Sequence, residues 1–137
     1  MSTIKELIRI ESTGGISFGD YELEQNTKLS DFKYKEDSYK VKTFQEITKL
    51  EKNGFFVYES VPGTAVTDFQ LTDNGAEFMV EGTGNTQITV GMEPDSEYRV
   101  YLGKETVGFI KTNLGGKLSF SADLNTENAV KAKLVKM

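Results

Sequence analysis

The chain has 137 residues with no Cys and no His, and its net charge is −5 at pH 7. The missing residue types exclude a disulfide framework, a thiolate or imidazole metal site, and catalysis by a Cys nucleophile or a Ser-His-Asp triad. The acidic charge argues against a nucleic-acid partner, because such partners are bound by clustered Lys and Arg. No apolar run approaches the roughly 20 residues of a membrane span. The first residues are charged where a signal peptide would be apolar, which predicts a cytoplasmic protein. If the chain is a trimmed module, an extracellular location is the alternative.

The first part of the chain predicts short antiparallel strands. Residues 4–10 suit a short helix about as well as a strand. Four later segments alternate apolar and polar side chains and predict strands: 16–18, 21–23, 32–34 and 39–43. Polar residues 36–38 predict the turn between the last two, which would then form a hairpin.

A stronger hairpin signal follows around Asn53-Gly54. Residues 46–51 and 55–59 alternate on either side of this pair, and Asn-Gly supplies the positive φ angles of a type I′ turn. A helix over residues 44–50 is the alternative. Pro62 and Gly63 then break the pattern, because proline donates no ladder hydrogen bond. We therefore predict an N-terminal β-hairpin region over residues 1–62 and a β-sandwich domain over residues 63–137.

The second part of the chain is more regular. Seven segments alternate and predict strands: 66–71, 76–80, 86–90, 97–102, 107–111, 117–121 and 129–135. Turn residues separate them at spacings of roughly 8 to 12 residues, which is typical of an immunoglobulin-like or fibronectin-like sandwich. The predicted fold class is all-β, with antiparallel hairpins followed by a seven-stranded sandwich.

The aromatic run at residues 55–58 is the sharpest single feature. Consecutive side chains in a strand point to opposite faces, so Phe55, Phe56 and Tyr58 require both faces of their strand to be covered. The N-terminal segment and the sandwich could provide this cover; alternatively, one face forms an oligomer interface or a ligand platform. Tyr101 and Tyr98 fall on opposite faces of their strand, so one is expected in the core and the other exposed. Phe55, Phe56, Tyr58 and Tyr101 are the candidate interaction residues.

Two segments, ISFGDY at 16–21 and VYESVPGT at 57–64, make the chain similar to small clostridial proteins that carry the label endosialidase. The series over residues 97–120 resembles the closing strands of β-sandwich accessory modules of bacterial carbohydrate-active and surface proteins. Sialidases as a family hold the substrate carboxylate with three arginines, use a Tyr assisted by a Glu as nucleophile, and carry Asp boxes that include Trp. This chain has only Arg9 and Arg99 and no Trp. We therefore predict no catalytic residues within one copy and no enzyme.

Few candidate residues remain for other catalytic or metal-binding sites. The 21 acidic residues keep a two-carboxylate glycan hydrolase as an alternative. Residues 123–127 alternate oxygen ligands as calcium loops do, but they lack the turn glycine and the distal Glu of an EF-hand, so a polar turn is the other interpretation. No glycine-rich phosphate-binding motif occurs, and we predict no metal and no cofactor.

The leading hypothesis is a structural or interaction protein that forms a homo-oligomer through strand edges or the aromatic hairpin. A carbohydrate-binding accessory module with a glycan partner is the second hypothesis, and a glycan hydrolase is the third.

Overall fold

The computed structural model describes residues 3–137, and within that range the chain forms thirteen β-strands and no helix. The described part of the chain therefore holds no helix that could cross a membrane. In chain order the strands are β1 (Ile8–Ile10), β2 (Ile16–Phe18), β3 (Thr27–Tyr34), β4 (Asp37–Phe44), β5 (Ile47–Lys52), β6 (Phe55–Val61), β7 (Thr64–Thr72), β8 (Gly75–Gly82), β9 (Asn85–Gly91), β10 (Glu97–Leu102), β11 (Glu105–Lys111), β12 (Lys117–Asp123) and β13 (Val130–Lys136).

The strands form two antiparallel sheets. One has seven strands in the order β1-β2-β7-β8-β13-β10-β11, and the other has six in the order β12-β9-β6-β5-β4-β3. One apolar core includes residues of both sheets. Tyr58 of the six-stranded sheet packs edge-on against Phe18 and Phe78 of the other, with ring centroids 5.3 and 5.7 Å apart. The fold is therefore a β-sandwich, as the sequence predicts.

All seven strands predicted after residue 63 are present, from β7 to β13. Five of them lie in the seven-stranded sheet, while β9 and β12 join β3 to β6 in the six-stranded sheet. Pairing of β2 with β7 and of β6 with β9 joins strands from both sides of residue 62. At Pro62, the predicted boundary, the chain crosses from the six-stranded sheet to the seven-stranded sheet. Each sheet nevertheless contains strands from both predicted ranges, 1–62 and 63–137.

The Asn53-Gly54 hairpin is confirmed, because these residues have φ angles of 53° and 83° between β5 and β6. The helix considered for 44–50 does not form, since this range lies in β4, a turn and β5.

Two N-terminal features differ from the sequence patterns. Residues 21–23 form a turn, so the strand predicted there is wrong. The carboxylate of Asp20 accepts a hydrogen bond from the Glu22 N–H at 3.0 Å, and Tyr21 turns inward to donate its hydroxyl to Glu81 at 2.7 Å. Within 4–10, only Ile8–Ile10 is a strand, after a turn that holds Leu7 at φ 73°.

Candidate interaction surface

The aromatic run at residues 55–58 is divided between surface and core. The Phe55 side chain is 76% exposed beside the Asn53-Gly54 turn, while Phe56 is half-buried, with Lys117 Nζ 4.6 Å from its ring centroid. Tyr58 is fully buried, so it belongs to the core and not to an exposed interaction surface. A register irregularity between Phe56 and Tyr58 interrupts the alternation of β6, which the sequence pattern does not reveal.

A hydroxyl network explains why a tyrosine occupies this core position. The Tyr58 hydroxyl lies 2.9 Å from Thr64 Oγ1, which is also 2.8 Å from Ser60 Oγ. Thr48 Oγ1 donates to the Thr64 carbonyl at 2.9 Å, so the network links the two sheets. Burial raises the pKa of Tyr58 and keeps the phenol neutral.

Tyr101 lies on the outer face of the seven-stranded sheet, whereas the aromatic run belongs to the six-stranded sheet. Tyr98 is buried on the opposite face of β10, as predicted for this pair. The Arg99 guanidinium carbon lies 5.7 Å from the Tyr101 ring centroid and 5.0 Å from that of Phe109. Tyr101 also lines a shallow concavity with Lys131 and Lys133. The four predicted residues therefore do not converge on one site.

The open edges of the sheets are the other candidate surfaces. In the described part of the chain, the outermost strands are β1 and β11 in one sheet and β3 and β12 in the other. Natural proteins protect such edges from unwanted pairing by shortness, charge or β-bulges. β1 has three residues, β3 has a register irregularity that includes Asp31 at φ 61°, and β11 has one beside Gly108 at φ 129°.

β12 differs from the other three edges because it is both long and regular. It pairs with β9 over all seven of its residues without a register shift. Its side chains alternate strictly: Leu118, Phe120 and Ala122 are buried, whereas Lys117, Ser119, Ser121 and Asp123 are exposed. The regular backbone makes β12 the most suitable edge for an added strand.

The hydrogen bonds at both ends of β12 indicate which backbone groups face outward. The Gly116 carbonyl accepts from Met92 N–H at 2.7 Å, and the Leu124 N–H donates to the Gly84 carbonyl at 3.0 Å. Residues with even numbers therefore direct their polar groups toward β9. Because these groups alternate along an antiparallel strand, Ser119 and Ser121 direct theirs toward the open edge.

Exposed apolar side chains lie close to this edge. Val107 lines a groove together with Ser121 and Asp123, and it is 41% exposed. Leu114, in the turn that leads into β12, is 86% exposed. The sequence predicts β12 as a strand but not as an edge, because its position depends on the order of strands in the sheet.

The loop after β12 has a structural explanation in the side chain of Asn125. Its Oδ1 accepts hydrogen bonds from the N–H groups of Glu127 and Asn128 at 2.9 and 2.7 Å. This is a polar turn stabilised by an Asn side chain. Among residues 3–137, no group of three or more acidic residues is arranged to hold a metal ion.

Comparisons of the chain with protein families, with curated proteins and with solved structures give no match.

Proposed function

We propose that the protein is a non-catalytic structural module that self-associates by pairing β12 with β12 of a second copy. The proposal depends on the order of charges along this edge. In an antiparallel pair with its two-fold axis at Phe120, Lys117 lies opposite Asp123 of the second copy, and Ser119 lies opposite Ser121. The exposed face of β12 is thus complementary to itself, as a two-fold interface requires.

The backbone supports the same pairing. With the axis at Phe120, the outward N–H and C=O groups of Ser119 meet those of Ser121 in the second copy and can form reciprocal hydrogen bonds. The two six-stranded sheets would then become one continuous sheet of twelve strands. Such strand addition satisfies backbone groups that are otherwise left to water.

The terminal charges favour this register over its competitors. A parallel pair through the same edge would turn the exposed faces of the two β12 strands to opposite sides of the sheet, so Lys117 would gain no opposite charge. A shift of two residues would separate Lys117 from Asp123 in both halves of the interface. Leu114 precedes Lys117, so in the antiparallel pair it would lie near the end of the second copy's β12.

Charge exchange tests the proposal. Lys117→Glu and Asp123→Lys are each expected to reduce the dimer fraction, because each places like charges opposite each other in both halves of the interface. The double variant restores opposite pairs and is expected to dimerise again. Size-exclusion chromatography with light scattering over a range of concentrations measures this directly.

Lys33→Glu is the matched control, since it makes the same charge change on β3, the opposite edge of the sheet. A wild-type protein that stays monomeric at high concentration would contradict the proposal. So would single variants that associate as the wild type does. Ser119→Pro gives an independent test, because it removes an outward N–H while leaving the backbone hydrogen bonds to β9 in place; it also removes the 2.8 Å contact between the Ser119 hydroxyl and Thr89 Oγ1.

A glycan-binding module is the second candidate, favoured by the concavity beside Tyr101. A half-buried aromatic ring with Lys131 and Lys133 nearby suits a sugar that carries a negative charge. A glycan array compares the wild type with Tyr101→Ala. Loss of binding in the variant would support this function, and an array without binders would contradict it.

A further inference from the structure

Four lysines cluster on the outer face of the six-stranded sheet, away from β12. They are Lys28 on β3, Lys40 and Lys42 on β4, and Lys49 on β5. Lys28 is directly opposite Lys42, and Lys42 is directly opposite Lys49, so three of them form one row across adjacent strands. Directly opposite side chains have Cβ atoms about 4.5 to 5.5 Å apart, and like charges in such pairs repel.

Carboxylates of the protein compensate only part of this charge. Lys49 Nζ lies 3.6 Å from Glu51 Oε2. Within residues 3–137, no carboxylate oxygen lies within 4.0 Å of the ammonium groups of Lys28, Lys40 and Lys42. This clustering is not a consequence of a basic composition, because the whole chain has a net charge of −5.

The four lysines and Glu51 line one shallow concavity of about 140 Å³. Four positive charges against one carboxylate leave a formal excess of three in this small space. We propose that this lysine cluster binds a phosphate group, either as inorganic phosphate or as the monoester of a small molecule. The bound dianion would remove the repulsion along the row of Lys28, Lys42 and Lys49.

The kind of side chain favours phosphate over a planar carboxylate. A lysine ammonium is a compact point charge with three donors, whereas the planar fork that matches a carboxylate belongs to arginine. The three strands cover only about 10 Å across the sheet, since neighbouring strands are roughly 4.8 Å apart. An extended polyanion such as nucleic acid would meet the acidic remainder of the surface beyond this distance.

Isothermal titration calorimetry of the full chain with sodium phosphate, at neutral pH and constant ionic strength, tests the site. Lys42 lies between Lys28 and Lys49, so Lys42→Gln is expected to weaken phosphate binding about tenfold, as the loss of one charge-assisted hydrogen bond would do. Lys33→Gln is the matched control, with the same change in net charge at an exposed position on β3 outside the cluster. Lys28→Gln provides a second variant within the cluster.

Glycerol 3-phosphate in a parallel titration distinguishes a monoester from the free ion. Tighter binding of the monoester indicates a phosphorylated small molecule, and tighter binding of inorganic phosphate indicates the ion itself. The proposal is overturned if phosphate does not bind, or if both cluster variants bind it as Lys33→Gln does. Tighter binding of a DNA oligonucleotide than of either phosphate compound would also overturn it.

Discussion

The buried hydroxyl of Thr64 on β7 connects the two sheets. Its Oγ1 is the shared partner of Tyr58 and Ser60, and none of these three residues is exposed. Thr64→Val keeps the shape of the side chain but leaves both neighbouring hydroxyls without this partner. We expect the free energy of unfolding to fall by about 1 to 3 kcal/mol, as measured by urea denaturation.

Tyr58→Phe is the matched comparison for Thr64→Val. It removes one hydroxyl and leaves Ser60 and Thr64 bonded to each other, so we expect a smaller loss of about 0.5 to 1.5 kcal/mol. A Thr64→Val protein as stable as the wild type would show that the network does not hold the sheets together.

The carboxyl of Glu11 stabilises the fold to a degree that depends on pH. A hydrogen bond from the Ser17 hydroxyl, followed by one from the Arg9 Nε at 2.8 Å, lowers the pKa of the Glu11 carboxyl below its usual 4.5. A carboxyl whose pKa is lowered by folding stabilises the protein above its usual pKa, and this stability is lost as the pH falls through the lowered value.

We therefore expect Glu11→Gln to lose less stability than the wild type between about pH 5 and pH 3, because the amide does not titrate. Urea denaturation at several pH values measures the slope. Glu36→Gln, at an exposed turn position, is the control for the loss of one carboxylate. Parallel pH profiles for Glu11→Gln and the wild type would disprove the role of Glu11.

The limits of sequence interpretation are clear from individual residues. Phe55, Phe56 and Tyr58 look alike in the sequence, yet one is exposed, one lies under a lysine and one is buried. Strict alternation would place Phe56 and Tyr58 on one face, but the register of β5 and β6 shifts between them, since Leu50 pairs with Tyr58 and Glu51 with Phe56. The hydroxyl partners of Tyr58 could not be predicted either, because they depend on how β5, β6 and β7 meet.

At the scale of elements, Asn53 connects two neighbouring hairpins. Its Oδ1 accepts from the Ser38 N–H at 2.9 Å, and its Nδ2 donates to Asp37 Oδ1 at 2.8 Å. The latter bond is the main reason that the pKa of Asp37 is lowered. The turn of β5 and β6 is therefore held against the turn of β3 and β4.

Asn53→Ala is expected to lower the free energy of unfolding by about 1 to 2 kcal/mol, because it loses these bonds and strains a position at φ 53°. Asn53→Gly loses the same hydrogen bonds, but glycine adopts a positive φ without strain, so its free energy of unfolding should fall by less. In both variants the pKa of Asp37, followed by NMR, should rise toward its usual value. An unchanged pKa would mean that Asn53 does not hold the two turns together.

Elements were predictable where local chemistry alone decides them. The β5–β6 turn follows from Asn53-Gly54, and the seven strands after residue 63 follow from alternation between turn residues. The strand expected at 21–23 fails because Tyr21 finds a distant partner in Glu81, 60 residues later in the chain. A local sequence pattern cannot reveal a contact between residues so far apart in the chain.

At the scale of the whole molecule, strand order decides which surfaces are available. β6 pairs with β9, and β13 inserts between β8 and β10, so strands distant in sequence become neighbours. β12 becomes an open edge through this order alone. The complementary ends of β12 are nevertheless visible in the sequence, since Lys117 and Asp123 lie three residues on either side of Phe120.

The proposed register makes a prediction about cross-linking that distinguishes it from every other pairing of β12. The chain has no native cysteine, so introduced thiols report only on their own positions. Opposite residues in a hydrogen-bonded antiparallel pair have Cα atoms about 5.5 Å apart, which is within the range that a disulfide can bridge. Position 119 should face position 121 of the second copy and should not face itself.

An oxidised mixture of Ser119→Cys and Ser121→Cys proteins is thus expected to give a covalent heterodimer, while either variant alone should stay uncross-linked. Mass spectrometry of the non-reduced products identifies the pair. Ser12→Cys, at an exposed turn position far along the chain, controls for random oxidation. A homodimer of Ser119→Cys as the main product would place the two-fold axis at residue 119 instead, and Lys117 would then lose its opposite charge.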